Sequence, residues 1–230
     1  MADTLSNTEN GGLIVAVDGP SGTGKSTMCR ALAKRLDAKY VDTGAMYRVA
    51  TLAVLRAGVD PADTAKVIEA TADLPLEVSD DPDSTEVLFA GEDVKAEIRG
   101  AEVTKHVSAV SAIPEVRVNL VELQRKLACE SGRAIVEGRD IGTVVLPDAP
   151  AKVFMTASAE VRAKRRYDQD VAAGREADFD AVLADVQRRD EADSSRATSP
   201  LKPADDAVLV DTSEMTPDEV LAAPVSYTHL

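Results

Sequence analysis

The chain has 230 residues, 44% of them hydrophobic and 29% charged, with a formal net charge of −14. That length can bury a full core and suits one domain with elaborations. The acidic balance argues against a nucleic-acid coat, which needs clustered Lys and Arg, and 3% aromatic residues with no tryptophan argue against a base-stacking platform.

Residues 1–12 are polar and are expected to be a disordered leader, without the basic and apolar blocks of a signal peptide. "LIVAVDG" is a continuous apolar run that fits a strand buried on both faces of a parallel sheet. Behind the glycine-rich loop, "STMCRALAKRL" sets Met28, Leu32 and Leu36 on one helical face. "AKYVDTG" is expected as a second strand and "AMYRVATLAVLRAG" as a helix closed by Gly58. Strand, loop, helix and strand at this spacing predict an open α/β fold.

From Pro61 to Ala112 apolar content falls and acids gather in "SDDPDS". "LEVS" and "TEVLFAG" flank that cluster as an antiparallel hairpin, so a small insertion is expected, with an irregular acidic loop as the alternative. "PEVRVNLVELQRKLA" then aligns Val116, Leu120, Leu123 and Leu127, with Pro114 near its start. "RAIVEGRD", "AKVFMTA" and "AVLVDTS" are short apolar strands. Between the last two lies a charged helical hairpin, broken at "AAGREAD", with Ser158 as N-cap of its first helix. "TPDEVLAA" begins a closing helix that Pro224 ends, leaving 224–230 as an irregular tail.

Cys29 and Cys129 are far apart and are expected to be small buried apolar residues in a reducing cytoplasm. His106 and His229 have no metal-site spacing, and no apolar run is long enough to span a membrane. A cytoplasmic protein follows.

Residues 19–26, "GPSGTGKS", match G-x-x-x-x-G-K-[ST] in full, between a predicted strand and a predicted helix. Gly19, Pro20, Ser21, Gly22, Thr23 and Gly24 form a loop whose glycines turn backbone N–H groups toward one concave point. Lys25 can reach the β- and γ-phosphates, the Ser26 hydroxyl can ligate Mg²⁺, and Thr27 continues the helix start. A nucleoside triphosphate is therefore expected. No [NT]-K-x-D or D-x-x-G switch of a GTPase is present. A small-molecule kinase instead predicts a second, arginine-lined phosphate site, since two phosphates repel unless cations surround both. Arg48, Arg117 and Arg139 lie in separate segments, Arg139 at a strand end where open α/β sheets bind ligands. For Arg162 and Arg188, among interleaved acids, a solvated ion-paired surface is the better expectation.

The set "DGPSGTGKST", "VDTGAMYR", "EGRDIGTVVLPDA" and "RRDEADSSRATSPL" resembles the bacterial cytidylate kinase family, from about Leu13 to Met215. The resemblance implies a P-loop parallel-sheet core (13–60 and 113–223), an inserted monophosphate-binding subdomain (61–112) and a helical lid (about 158–200). It implies ATP as donor, Mg²⁺, CMP and dCMP as acceptors, no nucleic acid or membrane partner, and a monomer. By position, Thr43, Arg117, Asp140 and Arg196 would read cytosine, Ser108, Arg189 and Asp193 would lie near the ribose, and Arg48 and Arg139 would hold the acceptor phosphate, with Tyr47 beside them. Arg165, Arg166, Arg189 and Arg196 would belong to the lid or its hinge, and Lys25, Arg139 and Arg189 would carry the transfer. The family more often has serine at the position of Thr43 and a basic residue at that of Ala192. Glu137 competes for a magnesium role, with a core salt bridge as the alternative. Two rivals remain: a kinase for UMP or dTMP, and a regulatory module that binds nucleotide without transferring phosphate.

Overall fold

A computed structural model describes residues 12–216 and 218–220. The expected leader, apart from Gly12, and the end of the closing helix with the tail lie outside the described residues. At the heart of the chain is a five-stranded, all-parallel sheet in the order β2 (Lys39–Asp42), β6 (Arg133–Glu137), β1 (Leu13–Asp18), β7 (Ala151–Thr156), β8 (Val208–Asp211).

Successive side chains of a strand point to opposite faces, and here both faces are covered. Val15 and Val17 pack with Met28 and Leu32 of α1 (Lys25–Arg35), while Ala16 joins the opposite cluster with Met46, Val116 and Leu120. That second face is supplied by α2 (Thr43–Arg56) and α5 (Pro114–Ser131), which has proline in its first turn. Asp42 caps α2 by accepting from the amide of Ala45, so the helix begins two residues before the predicted start.

The segment 61–112 holds more regular structure than its sequence predicts. The expected hairpin is present as β3 (Leu76–Val78) and β4 (Val87–Phe89), and β5 (Glu92–Asp93) extends it to three antiparallel strands. Two further helices, α3 (Thr64–Ala70) and α4 (Ala101–Ser111), flank this small sheet in sequence. α4 buries Val103, Val107 and Val110, a helical stripe. The loop between β3 and β4 lies against the core. Asp80 accepts from the Tyr40 amide through its carbonyl and from Lys39 through its carboxylate, and Arg30 donates to the carbonyls of Pro82 and Ser84.

The charged hairpin forms α6 (Ala159–Ala172) and α7 (Phe179–Ser194), and the Ser158 hydroxyl accepts from the Val161 amide as its N-cap. Between β6 and β7 the chain makes a π-helical turn, Ile141–Val145. Cys29 is buried as expected, but Cys129 is exposed, because it lies on the outer side of the last turns of α5. No helix among the described residues is long and apolar enough to cross a membrane.

Candidate active site

Three carboxylates end neighbouring strands on the same edge of the sheet: Asp18 on β1, Glu137 on β6 and Asp42 on β2. The glycine-rich loop leaves β1 at this edge, its Gly22 and Gly24 holding φ of 85° and 92°, a conformation that glycine tolerates freely. The loop is tied down by side chains. Thr23 donates to the carbonyl of Pro20 (3.2 Å), and Thr212, beyond β8, donates to that of Thr23 (3.0 Å). Arg165 reaches the carbonyls of Gly22 (3.3 Å) and Thr212 (2.7 Å), which places this predicted lid residue at the back of the loop.

Lys25 bends over the loop and donates to the Pro20 carbonyl at 2.7 Å. Burial, reinforced by the charge of Arg139, pushes its ammonium down to about 7, against the pull of Glu137 and Asp18. Ser26 remains exposed and donates to Glu137 Oε1 (2.9 Å), while Tyr40 donates to Glu137 Oε2 (2.6 Å). Glu137 therefore takes hydroxyl partners rather than a core ion pair, and burial followed by the charge of Asp42 raises its carboxyl. A serine hydroxyl backed by a carboxylate is a hard oxygen donor set of the kind Mg²⁺ takes.

The "EGRD" strand end carries the next group. Gly138 follows β6 where a Cβ would lie 2.5 Å from Ile141 Cδ1 and 2.8 Å from Thr43 Oγ1, so a side chain there would force Ile141 and Thr43 to shift. Thr43 donates to the Glu137 carbonyl at 2.7 Å, which leaves its oxygen free only to accept. Asp140 pairs with Arg117, each side chain 5% exposed. Arg117 also donates to Ser199 Oγ (3.2 Å) and to the Ser111 carbonyl (3.1 Å), and its guanidinium lies 5.1 Å from the centre of the Tyr47 ring. Tyr47 and Gln124 are buried beside each other, and the Tyr47 hydroxyl and both Gln124 amide atoms make no close hydrogen bond among the described residues.

Asp193 on α7 brings two more cations together, pairing with Arg139 (3.3 Å) and with Arg196, which also donates to Ser111 Oγ (3.1 Å). Ser108 is half-buried on α4, its carbonyl accepting from the Ser111 hydroxyl. Arg48 donates to the Ile98 carbonyl and to Thr104 Oγ1. Burial, then the charges of Arg189 and Arg99, lowers it to about 10. Arg189 is 6% exposed and has no hydrogen bond among the described residues, its Nε being wholly enclosed. Burial and the charges of Arg139 and Arg166 push it below the usual guanidinium range. The charges of Lys25, Arg139, Arg189 and Arg48 thus repel between neighbours, while Asp193 and Asp185 pull the other way on Arg189. A buried guanidinium without a partner is costly unless an anion joins it.

Arg166 pairs with Asp185 across the helical hairpin (3.1 Å), and Arg188 pairs with the same carboxylate at the surface, as expected. Arg162 corrects the expectation of a solvated side chain. It is 4% exposed, pairs with Asp190, and donates to the carbonyls of Ala157 and of Ser21 in the phosphate loop. The alternation of charges in the hairpin hid an inner polar face turned toward that loop. Sequence reasoning also passed over Tyr40 and Asp18; a carboxylate directly before the glycine-rich loop was the available signal for the latter.

A family model described as cytidylate kinase matches residues 15–230. The cytidylate kinase of Corynebacterium glutamicum is 75% identical over 211 residues, 92% of each chain, and that of Corynebacterium efficiens 72% identical over 219 residues, 95% of each chain. The Rhodococcus opacus cytidylate kinase is 65% identical over 209 residues, 91% of each chain. Among solved structures, an uncharacterized protein from Eubacterium ventriosum shares the fold, with a TM-score of 0.50 at 12% identity over 94% of this chain and 98% of that one. With a complete phosphate loop facing a cluster of buried arginines, and with relatives this similar along nearly the whole chain, the protein belongs to the cytidylate kinase family.

Proposed function

We propose that the chain phosphorylates CMP and dCMP with ATP, giving CDP and dCDP by direct in-line transfer. The observation that carries this reading is the gathering of Arg139, Arg189 and Arg48 beside Lys25, their charges bearing on one another, which supports a second anion site next to the phosphate loop. An oxygen of the acceptor phosphate forms the new bond to the γ-phosphorus while the bond to the β–γ bridging oxygen breaks, and ADP leaves with that electron pair. No general base is required, because the acceptor phosphate is already largely ionised at neutral pH.

Residues 19–27 would hold the triphosphate. Ser26, with Glu137 behind it, would hold Mg²⁺, which when bound neutralises phosphate charge. Arg48 and Arg139 would take the acceptor phosphate, and Arg189 would gain its missing partner from the transferring group or the acceptor. Asp140 and Arg117, with Thr43 and Arg196, would face cytosine, whose amino group needs an acceptor and whose N3 and O2 need donors. Ser108 and Asp193 would lie near the ribose. Residues 61–112 would act as the monophosphate-binding subdomain and about 158–200 as the lid, with 13–60 and 113–223 as the core. Arg165 and Arg166 would belong to that lid, Arg165 anchoring its base on the phosphate loop.

A coupled ADP-release assay with CMP, dCMP, UMP, AMP and dTMP as acceptors tests the reading. Fast turnover is expected with CMP and dCMP alone. A preference for UMP or dTMP would move the acceptor, and no acceptor-dependent ADP release would leave a nucleotide-binding module.

A further inference from the structure

Asp18 ends the strand that feeds the phosphate loop, but its side chain serves the other half of the site. One carboxylate oxygen accepts from the Ile141 amide at 2.8 Å and the other from the Gly142 amide at 2.7 Å. These amides open the π-helical turn directly after Asp140, and Asp18 is 3% exposed. Contact there is close: a Cβ at Gly142 would stand 3.4 Å from Asp18 Oδ2 and 3.2 Å from Lys152 Cδ. Burial pushes the Asp18 carboxyl up to about 6, the two amides draw it down, and the charges of Asp140 and Lys25 act on it in opposite directions, one from each side of the site.

We propose that Asp18 is a positioning residue that locks the turn bearing Arg139 and Asp140 to the strand bearing the phosphate loop, so that acceptor and donor sites are set at a fixed distance and rotation. Two oxygens on two successive amides hold the start of the turn at two points, beside Asp140, while Arg125 holds its far end through the Val144 and Val145 carbonyls. An asparagine cannot replace this contact, since its amide nitrogen would face an N–H donor. The lock acts on Asp140 and Arg139 through the backbone and touches no substrate.

This inference rests on the reading of Asp140 and Arg139 as acceptor-site residues, and its test separates the two. In Asp18→Asn, KM for CMP should rise about tenfold, the effect of losing one charge-assisted hydrogen bond, with KM for ATP within about twofold. Amide exchange at Ile141 and Gly142 should quicken at least about tenfold while Val15–Val17 stay protected. Should Asp18→Asn fail to fold, Asp18→Glu serves, because its longer side chain keeps the charge but cannot set both oxygens on the two amides, and it predicts the same split in KM. Parallel changes in both KM values, or none, would overturn the lock, as would unchanged exchange at the two amides. If wild-type protein ignored CMP, the acceptor reading would fall while the exchange measurement still decided the role of Asp18.

Discussion

Replacing Asp140 by asparagine removes one buried charge while keeping the shape of the side chain. Arg117 has three hydrogen-bond partners: Ser199 Oγ, the Ser111 carbonyl and Asp140. Of these only the carboxylate carries charge, and both members of the ion pair are 5% exposed. Breaking such a pair on one side costs about 3–5 kcal/mol, because the surviving ion stays desolvated. Asparagine can still accept one bond from the guanidinium, which recovers about 0.5–1.5 kcal/mol and leaves a loss of roughly 2–4 kcal/mol. In a domain of this size that lowers Tm by roughly 4–16 °C.

Urea unfolding of wild type, Asp140→Asn, Arg117→Met and the double variant measures the loss and its coupling. The double variant should be more stable than the summed single effects by about 0.5–3 kcal/mol, since neither charge is then left alone. A loss below about 1 kcal/mol for Asp140→Asn, with strict additivity, would refute the argument that this pair is closed and desolvated. In the same variants, KM for CMP should rise far more than KM for ATP. Equal increases would reassign Asp140 from base recognition to the donor side.

Arg189→Met removes a buried cation that has no hydrogen bond among the described residues, so Tm without nucleotide should hold or rise while turnover falls by about 10²–10³. A Tm loss of more than about 5 °C would mean that Arg189 is structural. Lys25, with its ammonium near 7, is half neutral at pH 7 in the free protein, and a bound triphosphate favours its charged form. Binding of a non-hydrolysable ATP analogue should therefore take up as much as about half a proton at pH 7, read by calorimetry in buffers of different ionisation enthalpy. Lys25→Ala should abolish that uptake and cut turnover by orders of magnitude; retained turnover would remove Lys25 from the chemistry.

Much of the fold was legible because parallel strands covered on both faces read as unbroken apolar runs, as "LIVAVDG" does. α4 was not legible. Its "AEVTKHVSAVS" is rich in β-branched residues and serine, poor helix formers, and only packing on α2 makes the stripe of Val103, Val107 and Val110 worth burying. The turn Ile141–Val145, also β-branched, gives no helical signal, and Asp18 together with Arg125, which donates to the carbonyls of Val144 and Val145, holds it in place. The phosphate loop and the strand-end arginine were visible as motifs. The partnering of Asp193 with Arg139 and Arg196, and the burial of Arg189 without a hydrogen bond among the described residues, depend on how the helical hairpin folds back, which spacing alone does not encode.

The strand order also sets a timetable. β1 lies between β6 and β7, so Leu13 finds its partner at Arg133, about 120 residues later. At ribosomal speeds of about 5–20 residues per second, that is a delay of roughly 6–24 s. The apolar strand and its nucleotide loop are made first and completed late, and they spend the interval without the neighbours that give them shape. A nascent chain that stops short of β6 carries the whole phosphate-binding motif and none of its architecture.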